Sequence, residues 1–424
     1  MRVGPDGRIE KVGLIGEVSA DGARVVDLGD ALILPGLVNL HAHPELTLLR
    51  GRLEDVEFAG WIERLIELKY SELTPEALRA STLLGVAEAI AAGVTCLAGS
   101  DDAGFLLEAE IETGLRGRVY REVFGPSPHQ AEEALADLEA KIDAMRLQGN
   151  ALVDVGIAPH APYTVAPRLF EALAGYAVAE SLPVCVHAAE SEAEERFTRE
   201  GRGPFAERLR ARGIDVEASG LSPIAWLAES GILAARPLLV HCVRVDGSDI
   251  GRIADTGASI AHCPISNGKF GHGVAPLPDF LEAGIQVGLG TDSVVSNNRM
   301  DVLEEARFAA LIQRSVRQAP ELLPADELLR LATIEGAKVL GLEDRIGSLE
   351  PGKEADLIAV RLGRPHSTPT TEPVAALIHS ARGSDVVLSV VGGRVLYEDG
   401  AFATVHWPAL VEAAAAAMPD SVRR

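Results

Sequence analysis

The segment Val38-Asn39-Leu40-His41-Ala42-His43-Pro44-Glu45 closes an apolar run with two histidines one residue apart. Strand side chains alternate between faces, so His41 and His43 share a face and lie roughly 6.6 Å apart along the chain at about 3.3 Å per residue. Two imidazoles at that spacing can close on one cation through Zn–N bonds of about 2.0–2.1 Å. Other titratable side chains also follow short apolar runs: His160 after 153–159, His187 and Glu190 at 187–190, His241 within 238–243, and Asp292 at the end of 286–292. His187 and Asp292 would complete a three-nitrogen, one-oxygen set and leave one place for water, the arrangement of a hydrolytic metal centre. An isolated H-x-H pair is a weak signal, and the recurrence at strand ends is what favours a metal. His129, His262, His272, His366, His379 and His406 are read as ordinary core or loop histidines.

Eight β-branched or apolar runs must position these groups: 37–43, 94–99, 117–123, 153–159, 183–189, 238–243, 259–264 and 286–292. Helical stretches separate them. The stretch 74–93, for example, offers Thr74 as N-cap, Pro75 at the first helical position and Gly93 past the end. Apolar strands alternating with helices predict a parallel sheet covered on both faces, and eight units predict an α/β fold of the (β/α)8 TIM-barrel class, whose catalytic side chains stand at the C-terminal ends of the strands. A doubly wound open sheet is the competitor, but no G-x-G-x-x-G follows the first strand.

The two ends read as antiparallel hairpins: KVGLIGEV, ARVVDLG and ALILPG at the start of the chain, and ADLIAV and VVLSVVGGRVLYEDG from residue 355 on. The expected organisation is a barrel over 36–345, with 1–35 and 346–424 meeting in a small flanking β-sandwich. Residues 406–424 are expected to form a helix with a charged, frayed tail.

The composition, 47% hydrophobic and 24% charged, is that of a globular protein. A net charge of −23 without a basic cluster argues against nucleic-acid and membrane partners. The first residues lack the apolar run of a signal peptide and no window holds the roughly 18 apolar residues of a membrane span, so a cytoplasmic location is expected. Cys96, Cys185, Cys242 and Cys263 lie scattered in apolar runs and read as small buried thiols.

Taken together, LPGLVNLHAHPELTLLRG, VCVHAAESEAE, LLVHCVRVD, SIAHCPISNGKFGHGVAPLPDFLEAGIQVGLGTDS and ATIEGAKVLGLEDRIGSLEPGKEADLIAV resemble the amidohydrolase superfamily, in its mononuclear aromatic-amine deaminase branch. The resemblance spans nearly the whole chain. It implies a zinc ion, or iron, held by His41, His43, His187 and Asp292, with Glu190 as the acid of an H-x-x-E motif and His241 contacting the reacting water or substrate. Asp292 would take a proton from the water and Glu190 would protonate the ring nitrogen beside the attacked carbon. Binuclear relatives carry a carboxylated lysine at the end of strand four. Here that place reads GIAPHAPY, which offers no lysine, so a single ion is expected unless another lysine folds in from elsewhere.

HAPY at 160–163 and SNN at 296–298 resemble the subgroup acting on adenosine, methylthioadenosine, adenosylhomocysteine and aminodeoxyfutalosine; HAHPELTLLRG and YREVFGP resemble the aminodeoxyfutalosine deaminases of the menaquinone route. Glu45, His160, Arg121 and Ser296 are the substrate-binding candidates this implies. Glu45 has a structural alternative, pairing with Arg50. Arg50, Arg121 and Arg244 are each candidates for a substrate carboxylate. The alternatives are a guanine-type or other amino-heterocycle deaminase and a chlorohydrolase-like enzyme, the latter disfavoured because Glu190 is retained. Relatives of this kind are commonly homodimers, and the same is expected here.

Overall fold

The computed structural model describes residues 1–418, so the charged tail lies largely outside the described residues. Three short strands come first, β1 (Arg2–Val3), β2 (Ile9–Lys11) and β3 (Ala31–Pro35). Eight parallel strands follow: β4 (Leu37–Ala42), β5 (Val94–Asp101), β6 (Arg116–Val123), β7 (Val153–Pro159), β8 (Cys185–Ala188), β9 (Leu238–His241), β10 (Ser259–His262) and β11 (Val287–Leu289). All eight coincide with the apolar runs of the sequence. Every residue of β4 and β5 is buried, as strands covered on both faces require.

The strands pair in order as β4-β5-β6-β7 and β8-β9-β10-β11. Single parallel bridges join these two sheets at Ile157↔Val184 and at Ala42↔Asp292, giving the α/β barrel its ring. The second junction carries a hydrogen bond from the Asp292 amide to the His41 carbonyl at 2.8 Å, which ties the last strand's extension to the first strand. The helix Pro75–Ala91 is capped as its sequence predicts, with the Thr74 side chain accepting from the Ala77 amide at 3.2 Å.

The chain ends meet beside the barrel. Strands β12 (Leu357–Arg361), β13 (Val386–Val391), β14 (Arg394–Glu398) and β15 (Ala401–Phe402) form an antiparallel sheet with β3, in the order β15-β14-β13-β12-β3. The hairpin β1–β2 supplies the second layer, with Ile9 in one apolar cluster with Leu357, Ala359, Val387 and Leu388.

Two expected strands are absent among the described residues. Past Lys11, which ends β2, KVGLIGEV forms only an isolated bridge between Ile15 and Val18, ARVVDLG is irregular, and Leu14, Ile15 and Val25 are exposed. Gly13, Gly16, Gly22 and Gly29 break up these runs, and of their apolar side chains Leu28 is packed against the flanking-sheet cluster. The helix Trp407–Ala417 packs against Pro75–Ala91.

Candidate active site

The strand ends carry the site. His41 is the fifth residue of β4, and His43 directly follows the strand. Their ring centroids lie 4.8 Å apart, and His41 also lies 4.8 Å from His187 of β8. Asp292 Oδ1 stands 3.5 Å from His41 Nε2 and 3.8 Å from His43 Nε2. His241, the last residue of β9, has its ring 5.6 Å from that of His187. The ligating atoms of His41, His43 and Asp292 all fall within 4.8 Å of one another, as do those of His41, His187 and His241.

Local backbone geometry aims these groups. Ala189, His241, Cys242 and Asp292 adopt positive φ angles of 52°, 74°, 48° and 58°, a conformation that costs a non-glycine residue of order 1–3 kcal/mol and persists where its surroundings enforce it. Gly290 lies under His41: a Cβ there would meet His41 Cβ at 2.9 Å and Cys263 Sγ at 3.0 Å.

Whether these residues fit a metal can be judged from their hydrogen bonds. His41 is 1% exposed, yet neither of its ring nitrogens has a hydrogen-bond partner. A buried imidazole left so is costly unless something else satisfies it, and a cation does. His187 Nδ1 lies 3.1 Å from the His160 carbonyl, which fixes that nitrogen as the donor and turns Nε2 to the cluster, the usual outer-shell arrangement of a ligating histidine. Asp292 accepts from the Ser266 hydroxyl at 2.7 Å and the Ser293 amide at 2.8 Å. Burial, then neighbouring histidines, hold His43 and His187 well below the ordinary imidazole value. Burial alone would raise Asp292, but the close approach of the imidazoles of His41, His241 and His43 holds it well below the carboxylate range. Neutral imidazoles beside an ionised carboxylate are the protonation states a divalent cation requires.

Above the cluster opens a cavity of about 400 Å³, lined on its floor by His43, His187, Glu190, His241 and Asp292. Glu190 Oε1 is 3.6 Å from His241 Nε2, and His241 Nδ1 is held by the Asn267 side chain at 2.9 Å. The Glu190 amide is bonded to the buried Glu194 carboxyl at 2.7 Å.

The substrate-binding candidates separate. Glu45 and His160 line the cavity. Glu45 is paired with Lys69 at 2.9 Å and not with Arg50, which bonds to Glu88. Arg121 and Ser296 do not line it: Arg121 Nη1 donates to the Asp101 carbonyl at 3.1 Å, and the Ser296 hydroxyl is engaged by Ser293 at 2.9 Å and is 1% exposed. Arg244 pairs with Glu195 at 3.1 Å.

Glu122 and Lys69, given no role from sequence, and His272, read there as an ordinary core or loop histidine, also take part. Glu122, two along from the inward-facing Tyr120 on β6, is buried on the cavity wall, with its carboxyl within 4.8 Å of the ligating atoms of His43 and His187. Strand alternation at the end of the third run was the available signal. His272 Nε2 approaches Glu190 Oε1 at 3.5 Å. Lys69, in a π-helical turn at Leu68–Glu72, lines the cavity from the connection after β4. It is the lysine that folds in from elsewhere, but it contacts Glu45 at 2.9 Å and Asp102 at 3.1 Å. Burial would lower its value; those two carboxylates hold it above the ordinary ammonium range.

Residues 32–396 match the amidohydrolase family. The chain belongs to that family. A 5-methylthioadenosine/S-adenosylhomocysteine deaminase from Syntrophobacter fumaroxidans is 33% identical over 417 residues, covering 96% of this chain and 90% of the relative. Among solved structures, a zinc-bound adenosine deaminase from Xanthomonas campestris superposes with a TM-score of 0.82 at 30% identity, covering 93% of this chain and 86% of the other. A zinc complex of an atrazine chlorohydrolase from Arthrobacter aurescens TC1 gives 0.84 at 26% identity, covering 98% and 94%. This amidohydrolase is therefore an enzyme of the hydrolase class, and no helix among its described residues is long and apolar enough to cross a membrane.

Proposed function

We propose that this amidohydrolase removes ammonia hydrolytically from a 6-aminopurine nucleoside, with aminodeoxyfutalosine the foremost candidate and adenosine, methylthioadenosine and adenosylhomocysteine the others. The observation that carries the reading is the Glu190 carboxylate 3.6 Å from His241 on the floor of the cavity, beside the His41, His43, His187 and Asp292 cluster. The deaminase names of its relatives support it.

His41, His43, His187 and Asp292 would hold one divalent cation, zinc foremost, which would supply a water of lowered pKa. Asp292 accepts one proton of that water. Glu190 carries the other to the ring nitrogen beside the attacked carbon, and His241, fixed by Asn267, hydrogen-bonds the oxygen as charge develops on it. The water's oxygen replaces the amine on carbon, one of its protons stays on the ring nitrogen, and the proton on Asp292 leaves with ammonia. His160 and Glu45 line the cavity where they can meet the base and the ribose hydroxyls.

Ammonia release from zinc-loaded protein across aminodeoxyfutalosine, adenosine, methylthioadenosine, adenosylhomocysteine, guanine and cytosine tests the reading. Turnover of a 6-aminopurine nucleoside is expected. Turnover of guanine alone, or of none of these compounds, would overturn it.

A further inference from the structure

A second cavity, of about 190 Å³, lies behind the residues that hold the catalytic groups. Its inner end is polar. His262 at the end of β10 and Asn267 on the helix Pro264–Lys269 line it, and both are buried. Neither ring nitrogen of His262, nor Nδ2 of Asn267, has a hydrogen-bond partner among the described residues. Buried donors and acceptors left so are costly, and the cavity they line is where a partner would sit. Its mouth is open. Gly268, Gly271 and Gly273 are exposed there, beside Phe308 and Ile312 of the helix Val302–Arg317. A Cβ at Gly268 would stand 3.1 Å from Cζ of Phe308, so any side chain at that position would narrow the entrance.

The lining selects the ligand. No charged side chain lines the cavity among the described residues. Burial keeps the His262 imidazole neutral, so it offers one N–H and one bare nitrogen, while Asn267 Nδ2 offers N–H alone. A carbonyl beside an N–H answers both. A cavity of about 150 Å³ takes a benzene ring, so one of about 190 Å³ takes a six-membered ring with a substituent atom.

Two residues at this cavity's edge reach the reaction. Asn267 Oδ1 holds Nδ1 of His241 at 2.9 Å, and His272, between Gly271 and Gly273, approaches Glu190 at 3.5 Å. The loop joining them is tied to itself, by the Gly271 amide to the Gly268 carbonyl at 3.1 Å and the His272 amide to the Asn267 carbonyl at 3.0 Å. A body seated against this loop therefore bears on both catalytic groups.

We propose that this cavity is a second ligand site, for an uncharged six-membered ring carrying a carbonyl next to an N–H, and that its occupant raises turnover by fixing Asn267 and the loop that carries His272. The carbonyl accepts from Asn267 Nδ2, which pins the carboxamide with Oδ1 toward His241. The ring N–H donates to the bare nitrogen of His262. The effect on turnover, though not the binding, rests on the deaminase reading above.

The probe is 2-pyridone, with 1-methyl-2-pyridone, which has lost the N–H, as its control. Calorimetry on zinc-loaded wild type is expected to show one equivalent bound, roughly tenfold tighter than the control, with a similar loss in His262→Leu. Ile312→Trp fills the mouth from the helix surface, leaves the polar end intact and should block binding. With the best substrate of the ammonia-release panel at saturation, 2-pyridone should raise kcat by roughly fivefold in wild type and in neither variant. Competition with substrate, binding that survives in both variants, an unchanged kcat, or a crystal soaked in 2-pyridone that holds ordered water alone in the cavity would overturn the proposal. If no compound of the panel is turned over, the deaminase reading fails, and the calorimetric comparison of the three proteins decides the site by itself.

Discussion

The Glu190 carboxylate stands 3.5 Å from Nε2 of His272, whose ring packs edge-on against Phe58 with centroids 4.5 Å apart. Burial would raise the Glu190 carboxyl, but the charges of His241 and His272 bring it below the usual range, so it rests as a carboxylate able to take a proton before giving one. Glu190→Gln is expected to lower kcat by about 10²–10⁴. Activity within about tenfold of wild type, a barrier change of about 1.4 kcal/mol, would remove Glu190 from proton transfer. His272 is a positioning residue, and His272→Asn should move the acidic limb of the kcat/KM profile to higher pH, a change that a purely structural role would not produce.

The metal stoichiometry follows from Lys69. Its ammonium is pinned between Glu45 and Asp102, and a charged amine cannot be carboxylated to bridge two ions. Elemental analysis of purified protein is expected to find one transition-metal equivalent per chain. His187→Ala should lose most of it. Two tightly held equivalents in the wild type would contradict the assignment.

The eight barrel strands were legible because nearly all their residues are buried, so that each apolar run stands out from the segments around it. His41 and His43 were legible because strand alternation is local, and the rim positions of His187, His241 and Asp292 followed from the strand ends. His272, Glu122 and Lys69 were not, because their approach to the cluster depends on loop paths and on the register between β6 and its neighbours. Arg121 resembled a substrate ligand in sequence, yet its guanidinium turns to the Asp101 carbonyl of the adjacent strand. In KVGLIGEV, alternation existed without any surface to bury the apolar side chains, and alternation alone does not make a strand.

The barrel and the flanking sheet are joined through charge. Arg116 at the start of β6 is 1% exposed; its Nε donates to Asp356 at 2.7 Å and its Nη2 to Glu354 at 2.5 Å. Asp356 also accepts from the Gly392 amide at 2.7 Å. Removing one partner strands a buried charge, so Arg116→Met is expected to destabilise by about 3–5 kcal/mol. Replacing Arg116 and Asp356 together by Met and Leu should recover part of that loss. Chemical denaturation checks both, and a single variant within about 1 kcal/mol of wild type would contradict the buried-pair account.

His262, at the end of β10, gives a pH prediction. It is 1% exposed, neither ring nitrogen has a hydrogen-bond partner, and it borders a second cavity of about 190 Å³. Burial, and then the charge of His241, push it down from 6.5 to about 3. The unfolded chain binds a proton here that the folded chain refuses, so stability rises with pH across this window. The contribution is complete above about 6.5 and is lost as pH falls towards about 3, by up to ~1.4 kcal/mol per pH unit. His262→Leu removes the group and keeps an apolar side chain in its place. Metal-free wild type and variant, unfolded in urea at pH values between about 6.5 and 4.5, should therefore diverge, with the variant losing less stability as the pH falls. Parallel curves over that range would mean that His262 is satisfied in the folded protein by a partner that keeps its proton affinity ordinary.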